Sequence, residues 1–506
     1  MTRPRQILLG VLAAAGMTLA LAVVVLSSNW AARRTQEELI RILEVRFDAH
    51  AELEEITLSL FPRLSIAGRG LTLIRTGDEH RLPFIRIDRF HASGPVLDVL
   101  RSSLELVEID GFQIDVARGH KPEGPGLRGA RDLRIDEIRA THGLLRVLPD
   151  DPEKLPLNFD LETVTFREFS FEQAGKYTAQ LTNPKPEGVI RSSGSFGPWN
   201  TFAPRSTPLS GEYTFTDARL STIKGIGGTL NSVGSFEGVL EHINVKGTTT
   251  TPDFQLDLAR QPVSLDTRFR AIVDGTSGDT HLEEVDAMLD KTHIVAVGSV
   301  AGMRGAKGRT ITLDVSADGR FDDFLRLAVK ANKPAMRGGI ALKTSLVLPP
   351  GETDVVQRLQ LKGSFKLRRG QFSSDTVQDK IDELSRRGRG EPENENVNNV
   401  LADFGGNFAL QNGRLDLPSF QFTVEGARVA LGGNYSLPSQ RLDFEGSLIL
   451  DAPLSKTTTG FKSVLLKIVD PLFRKQGAGT VLPIAVTGTV DEPSFAIDKG
   501  RLFSRR

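Results

Sequence analysis

Cysteine is absent from the 506 residues, which excludes a disulfide framework, a zinc–thiolate site, an iron–sulfur cluster and a thiol nucleophile. Net charge is absent too, because 63 basic side chains balance 63 acidic ones. A nucleic-acid binder neutralises phosphates with clustered Lys and Arg, and no basic stripe is present. Catalytic signatures are missing as well. No Gly-Lys-Ser/Thr follows a glycine loop, and there is no HExxH helix, GxSxG elbow or dinucleotide fingerprint. The eight histidines are scattered and read as surface or turn residues. Asp314, Asp318 and Gly319 lack the remaining ligands of a calcium loop. Adjacent acids such as Glu54/Glu55, Glu283/Glu284 and Asp322/Asp323 read as solvated, since neighbours in a strand point to opposite faces. The expectation is a chain that is not an enzyme, with no catalytic residue, metal or cofactor.

What is present begins with a long apolar run. Residues 7–26 read ILLGVLAAAGMTLALAVVVL. At 1.5 Å per residue, about 20 uncharged residues span the ~30 Å hydrocarbon core of a bilayer. A cleaved signal peptide has an apolar region of only about 7–15 residues, so this run reads as an uncleaved transmembrane anchor. Arg3 and Arg5 precede it and Arg33 and Arg34 follow, a tie in the charge rule; the short tail favours N-in. Trp30 suits the membrane interface.

After the anchor, Leu39, Ile42, Leu43 and Arg46 keep helical spacing, and then the period changes to two. From Glu55 the text ITLSLFPRLSIAGRGLTLI alternates as strands do, with Gly68 and Gly70 marking a turn or bulge. LELVEIDGFQIDV (104–116) and LRIDEIRATHGLLRV (133–147) share the order of apolar strand, Gly-bearing turn and apolar strand, a weak internal repeat. A Gly-polar-apolar triplet recurs at Gly194, Gly234, Gly298, Gly363, Gly406, Gly433, Gly446 and Gly488 without a fixed period. Alternation is clearest in the last hundred residues, where Phe408, Leu410, Phe420, Phe422, Phe444, Leu448 and Leu450 fall on one face.

Such half-buried strands are normally antiparallel with one face needing cover. Only four short helices are legible after the anchor region, at 95–101, 322–330, 374–386 and 461–475, too few to coat a sheet of 25–30 strands. Tandem β-sandwiches, closed barrels or a curled sheet with an apolar groove would each satisfy the pattern. Residues 386–399 are polar and aperiodic and read as a mobile loop. The helix at 461–475 places Phe461, Leu465, Ile468 and Leu472 on one side, with Lys and Arg nearby. It suits either a membrane interface or the capping of a β core.

The membrane helix, the ITLSLFPRLSIAGRGLTLI segment, GPVLDVLRSSLELVEIDGFQIDV (94–116), residues 251–300 and VLPIAVTGTVDEPSFAID (481–498) together resemble AsmA-like envelope proteins of the AsmA/TamB type. The resemblance implies a single-pass bacterial inner-membrane protein with most of its chain in the periplasm. It also implies a repeating β-groove: an elongated, curled antiparallel sheet whose apolar floor carries phospholipid in support of outer-membrane biogenesis. Phospholipid, the inner membrane and outer-membrane or periplasmic proteins are the partners expected, and nucleic acid is not. The alternative is a scaffold for outer-membrane protein assembly. The regions expected are 1–30 (tail and anchor), 31–150 (AsmA-like N-terminal region), 151–370 (central groove), 371–400 (helix and polar loop) and 401–506 (AsmA-like C-terminal region). The floor candidates are the seven apolar residues named above from 408 to 450.

Overall fold

The computed structural model describes residues 49–59, 63–75, 83–95, 103–117, 134–148, 157–170, 172–198, 206–275, 278–302, 308–330, 333–453, 456–457, 480–490 and 492–497, with Glu37, Ile40, Arg41 and Glu44. The expected transmembrane span, most of the 95–101 helix and the 461–475 helix lie outside these residues. Among the described residues no helix is long and apolar enough to cross a membrane.

The chain is mainly β, and its strands join one large mixed sheet. The strands are β1 (Ala49–Glu52), β2 (Glu55–Ser59), β3 (Leu64–Arg75), β4 (Pro83–Gly94), β5 (Ser103–Ala117), β6 (Arg134–Leu148), β7 (Leu157–Ser170), β8 (Gly175–Pro184) and β9 (Glu187–Phe196). There follow β10 (Pro208–Arg219), β11 (Ile226–Gly227), β12 (Thr229–Val239), β13 (His242–Leu256), β14 (Val263–Val273), β15 (Thr280–Leu289), β16 (Thr292–Gly302) and β17 (Arg309–Arg320). The rest are β18 (Met336–Leu348), β19 (Gln360–Phe372), β20 (Ala402–Gln411), β21 (Arg414–Val424), β22 (Ala427–Ser436), β23 (Arg441–Leu450), β24 (Thr480–Thr489) and β25 (Pro493–Ile497). Almost every strand pairs with its neighbour in sequence, so the order along the sheet follows the chain. β1 and β2 both pair with β3, and β11 pairs with β13 beside the β10–β12 pair. The sheet also runs across the expected boundaries at 150/151 and 371–400, through the β6–β7 and β19–β20 ladders.

One ladder corrects the expectation of a purely antiparallel sheet. β5 and β6 are parallel, with Leu104 opposite Ile135 and Val116 opposite Val147. These are the two segments of the weak repeat, and parallel neighbours need a crossover connection of a dozen or more residues. The long interval between Ala117 and Arg134 meets that need. Arg146 fastens the pair by donating from Nε to the buried Asp115 carboxylate directly opposite (2.7 Å).

The N-terminal ladders are interrupted along a line. The ladders skip Gly70 and Asp88, then Asp88 and Gly111, then Gly111 and His142, then His142 and Glu162. Gly70, Gly111 and His142 all have positive φ. These strands carry most of the largest core cluster, from Ala49 to Val273, where Ile66, Val107, Ile135 and Phe166 are 0% exposed.

The recurring Gly triplets acquire a packing reason. Gly194, Gly234, Gly363, Gly406 and Gly433 stand directly opposite the rings of Tyr177, Tyr213, Phe408, Phe420 and Phe444. A glycine gives the facing ring a place to lie against backbone. At Gly446 a β-carbon would fall inside the Ala430 carbonyl oxygen. Gly446→Val is therefore expected to destabilise the chain by about 3 kcal/mol, seen as a lower midpoint in denaturant unfolding.

Three α-helices are described from end to end, besides the 3-10 turn Leu220–Thr222. α1 (Phe321–Ala328) and α3 (Asp375–Arg389) match the expected helices at 322–330 and 374–386; α2 (Val355–Arg358) is one turn that periodicity is too short to reveal. Asp322 and Asp323 are not solvated as expected but 2% exposed. They occupy the first turn of α1, where carboxylates are favoured. Arg320 pairs with Asp322 (2.6 Å), and the Thr292 hydroxyl donates to Asp323 (2.7 Å).

Candidate functional site

Alternation puts one row of apolar side chains from each C-terminal strand on a common face. All seven floor candidates lie on it. Phe408 and Phe444 are buried in one cluster, Phe422 and Leu450 in a second, and Leu410 is buried as well. Phe420 and Leu448 are half-buried and pack against these clusters, so they present surface to the outside. The rings form a connected chain. Phe420 lies 6.2 Å from Phe365, 5.7 Å from Phe404 and 6.5 Å from Phe444. Phe404 in turn lies 4.9 Å from Phe422 and 6.0 Å from Phe372.

Phe365, Phe404, Leu342 and Leu361 belong to this face and were not singled out from the sequence. Phe365 closes the Gly363 triplet, so the recurring triplets were the available signal. Phe461, Leu465, Ile468 and Leu472 lie outside the described residues.

One edge of the face is covered. Ile381 and Leu384 of α3 pack on the cluster containing Phe422, Val429 and Leu450. A polar lock seats the helix. Asp382, 5% exposed, accepts from the backbone amides of Asn399 (2.9 Å) and Val400 (2.8 Å) and from Gln378 Nε2 (2.8 Å). Ser385 donates to the Glu425 carbonyl (2.7 Å), and Arg386 to the Val397 carbonyl (3.0 Å). The polar stretch expected from residue 386 onward thus starts as the last turn of α3 and is then held back onto the helix. Over the cluster of Phe408, Leu417 and Phe444, the surrounding Phe365, Leu415, Leu431, Tyr435, Leu442 and Val486 stay half-buried.

The opposite face is polar, and its most perturbed group is Asp110. His142 Nδ1 lies 2.7 Å from its carboxylate; Arg89 donates to it, and so does the Thr141 hydroxyl (3.0 Å). These bonds, His142 first, hold its pKa down to about 2 from an ordinary 3.8. Because the folded value is depressed, this contribution to stability is present above the unfolded pKa and is lost as pH falls through about 2. A carboxyl NMR titration should place the Asp110 midpoint near 2, and His142→Ala should move it upward.

Among the described residues no group of three or more His, Asp or Glu side chains is placed to hold a metal ion. No family model matches the sequence, and no curated protein or solved structure matches it.

Proposed function

We propose that this chain is a membrane-anchored envelope protein whose curled sheet holds phospholipid acyl chains on its apolar face and conducts them between membranes, supporting outer-membrane biogenesis. The observation that carries the reading is the apolar row, largely half-buried, that continues from strand to strand over β13–β24 with, among the described residues, only short helices beside it. Each buried CH₂ of an acyl chain is worth about 0.8 kcal/mol, so such a face lowers the cost of moving lipid through water. The inner-membrane site and the periplasmic placement rest on the apolar run at 7–26 and the AsmA-like resemblance.

Contacts between distant strands support the curl. Lys185, in the β8–β9 turn, pairs with Glu352 (3.1 Å), and the Val355 amide donates to the Lys224 carbonyl (3.1 Å). In a flat sheet with strands about 4.8 Å apart, β9 and β19 would lie roughly 45 Å from each other. α1 spans a similar gap on a smaller scale, with Arg326 on Asp290 (2.7 Å) and the Val329 carbonyl on Gln261 (3.3 Å).

The test is to isolate the full chain gently from its host membrane and identify bound lipid by native mass spectrometry. Phospholipid on the folded protein is the expected result; a folded, lipid-free monomer would sink the proposal. A second reading, a scaffold for outer-membrane protein assembly, is favoured by one feature: among the described residues β25 pairs only with β24, which leaves a strand edge for a client strand.

A further inference from the structure

Resting on the lipid reading above, we infer that the apolar floor is blind at its N-terminal end. Lipid occupies the section from β13 to β24, and the strands nearest the membrane anchor form a closed stopper. A side chain with no exposed surface is already packed by protein on every side and has nothing to offer a ligand. Ile66, Leu104, Val107, Ile135 and Phe166 are in that condition, and nearly all other members of their cluster are close to it. Along the inner face of the later strands buried residues such as Ile340, Phe408 and Phe444 alternate with half-buried ones, among them Phe269, Val285, Leu313, Leu342, Phe365 and Phe420. Val245 and Phe236 mark the transition, since they pack against the sealed cluster and are themselves half-buried.

A line of skipped ladder pairs through Gly70, Gly111 and His142 crosses these same strands, β3–β7. The β17–β18 ladder runs without a skipped pair. Lipid from the anchor's own membrane therefore cannot feed end-on through the core and must cross a flank of the later section.

The flank is identifiable. α1, α3, the β13–β14 connection and the β15–β16 turn all lie at the same strand ends. α3 covers the floor there. At the opposite strand ends α2 lies in the β18–β19 connection, while β12–β13 and β20–β21 are joined by turns of two residues, 240–241 and 412–413. The structure assigns lipid entry to the short turns of this second flank, beside α2, with acyl chains directed toward α1 and α3 and the polar head left at the turns.

A photo-crosslinking phenylalanine analogue placed singly at Phe365, Phe420, Phe112 and Phe166 tests this in the full chain, in host membranes supplied with radiolabelled phosphatidylethanolamine and phosphatidylglycerol vesicles. Adducts at Phe365 and Phe420, with none above background at Phe112 and Phe166, are expected. Adducts at all four positions would overturn the blind end and leave the lipid reading standing. Adducts at none would overturn the lipid reading itself. Cooperative melting is required of each variant, and Phe196, at the margin of the sealed cluster, replaces either sealed position that fails to fold. For the flank, an analogue at Leu442, on the short-turn side, is expected to label lipid headgroup fragments. One at Leu448, toward α3, is expected to label acyl fragments, and the reverse pattern would overturn the orientation.

Discussion

Phe420→Glu is expected to strip co-purifying phospholipid from a chain that still unfolds cooperatively. Phe420 sits at the centre of the ring chain, between Phe365, Phe404 and Phe444, and it is half-buried. In the empty protein a carboxylate there keeps access to water. Once an acyl chain lies over it, that water is lost and the charge has no partner, at a cost of several kcal/mol. With each 1.4 kcal/mol equal to a tenfold change, lipid occupancy should fall by about a hundredfold or more. Phe444 is the worse choice, because it is already buried and a charge would attack the fold before it met a ligand. Gln421→Glu supplies the control: it is the next residue, exposed on the opposite face, and should keep both lipid and stability. Native mass spectrometry with a melting curve reads both variants. Full lipid on folded Phe420→Glu would remove the floor from the argument.

The second large effect concerns the lock under α3. Asp382→Ala is expected to cost about 3 kcal/mol, because the Asn399 and Val400 amides and the Gln378 side chain lose their shared acceptor together. Asp382→Asn keeps one acceptor oxygen and loses the charge, so its cost should be intermediate. Chemical denaturation measures the global change. Hydrogen exchange then locates it: protection should fall in 375–389 and at Val400 before it falls in β20–β23. Uncoupling α3 would also uncover Phe422, Val429 and Leu450. Parental stability in Asp382→Ala would mean that the packing of Ile381 and Leu384 alone seats the helix.

Much of the apolar face was legible in the residues themselves. The alternation of Phe408, Leu410, Phe420, Phe422, Phe444, Leu448 and Leu450 put all seven on one face, and the structure places them there. The helices at 321–328 and 375–389 were legible for a similar reason, since a period of 3.6 is a local pattern. Asp322 and Asp323 were misread because adjacency was argued for a strand, whereas the chain turns into a helix at Phe321 and buries both acids against Thr292 and Arg320. Asp382 was invisible as a lock, because its partners at 399 and 400 become neighbours only after the chain folds back.

The sequence by itself determined the β character, the one-sided faces and the short helices, because each is written in the spacing of neighbouring residues along a covalent chain. Only the tertiary structure decided that β5 and β6 run parallel and that Gly70, Gly111 and His142 line up across neighbouring strands. It alone decided that a face of uniform composition is sealed near Phe166 and accessible near Phe420. Those properties depend on which strand lies beside which, and in what register. A two-residue period specifies which way a side chain points without specifying what it meets.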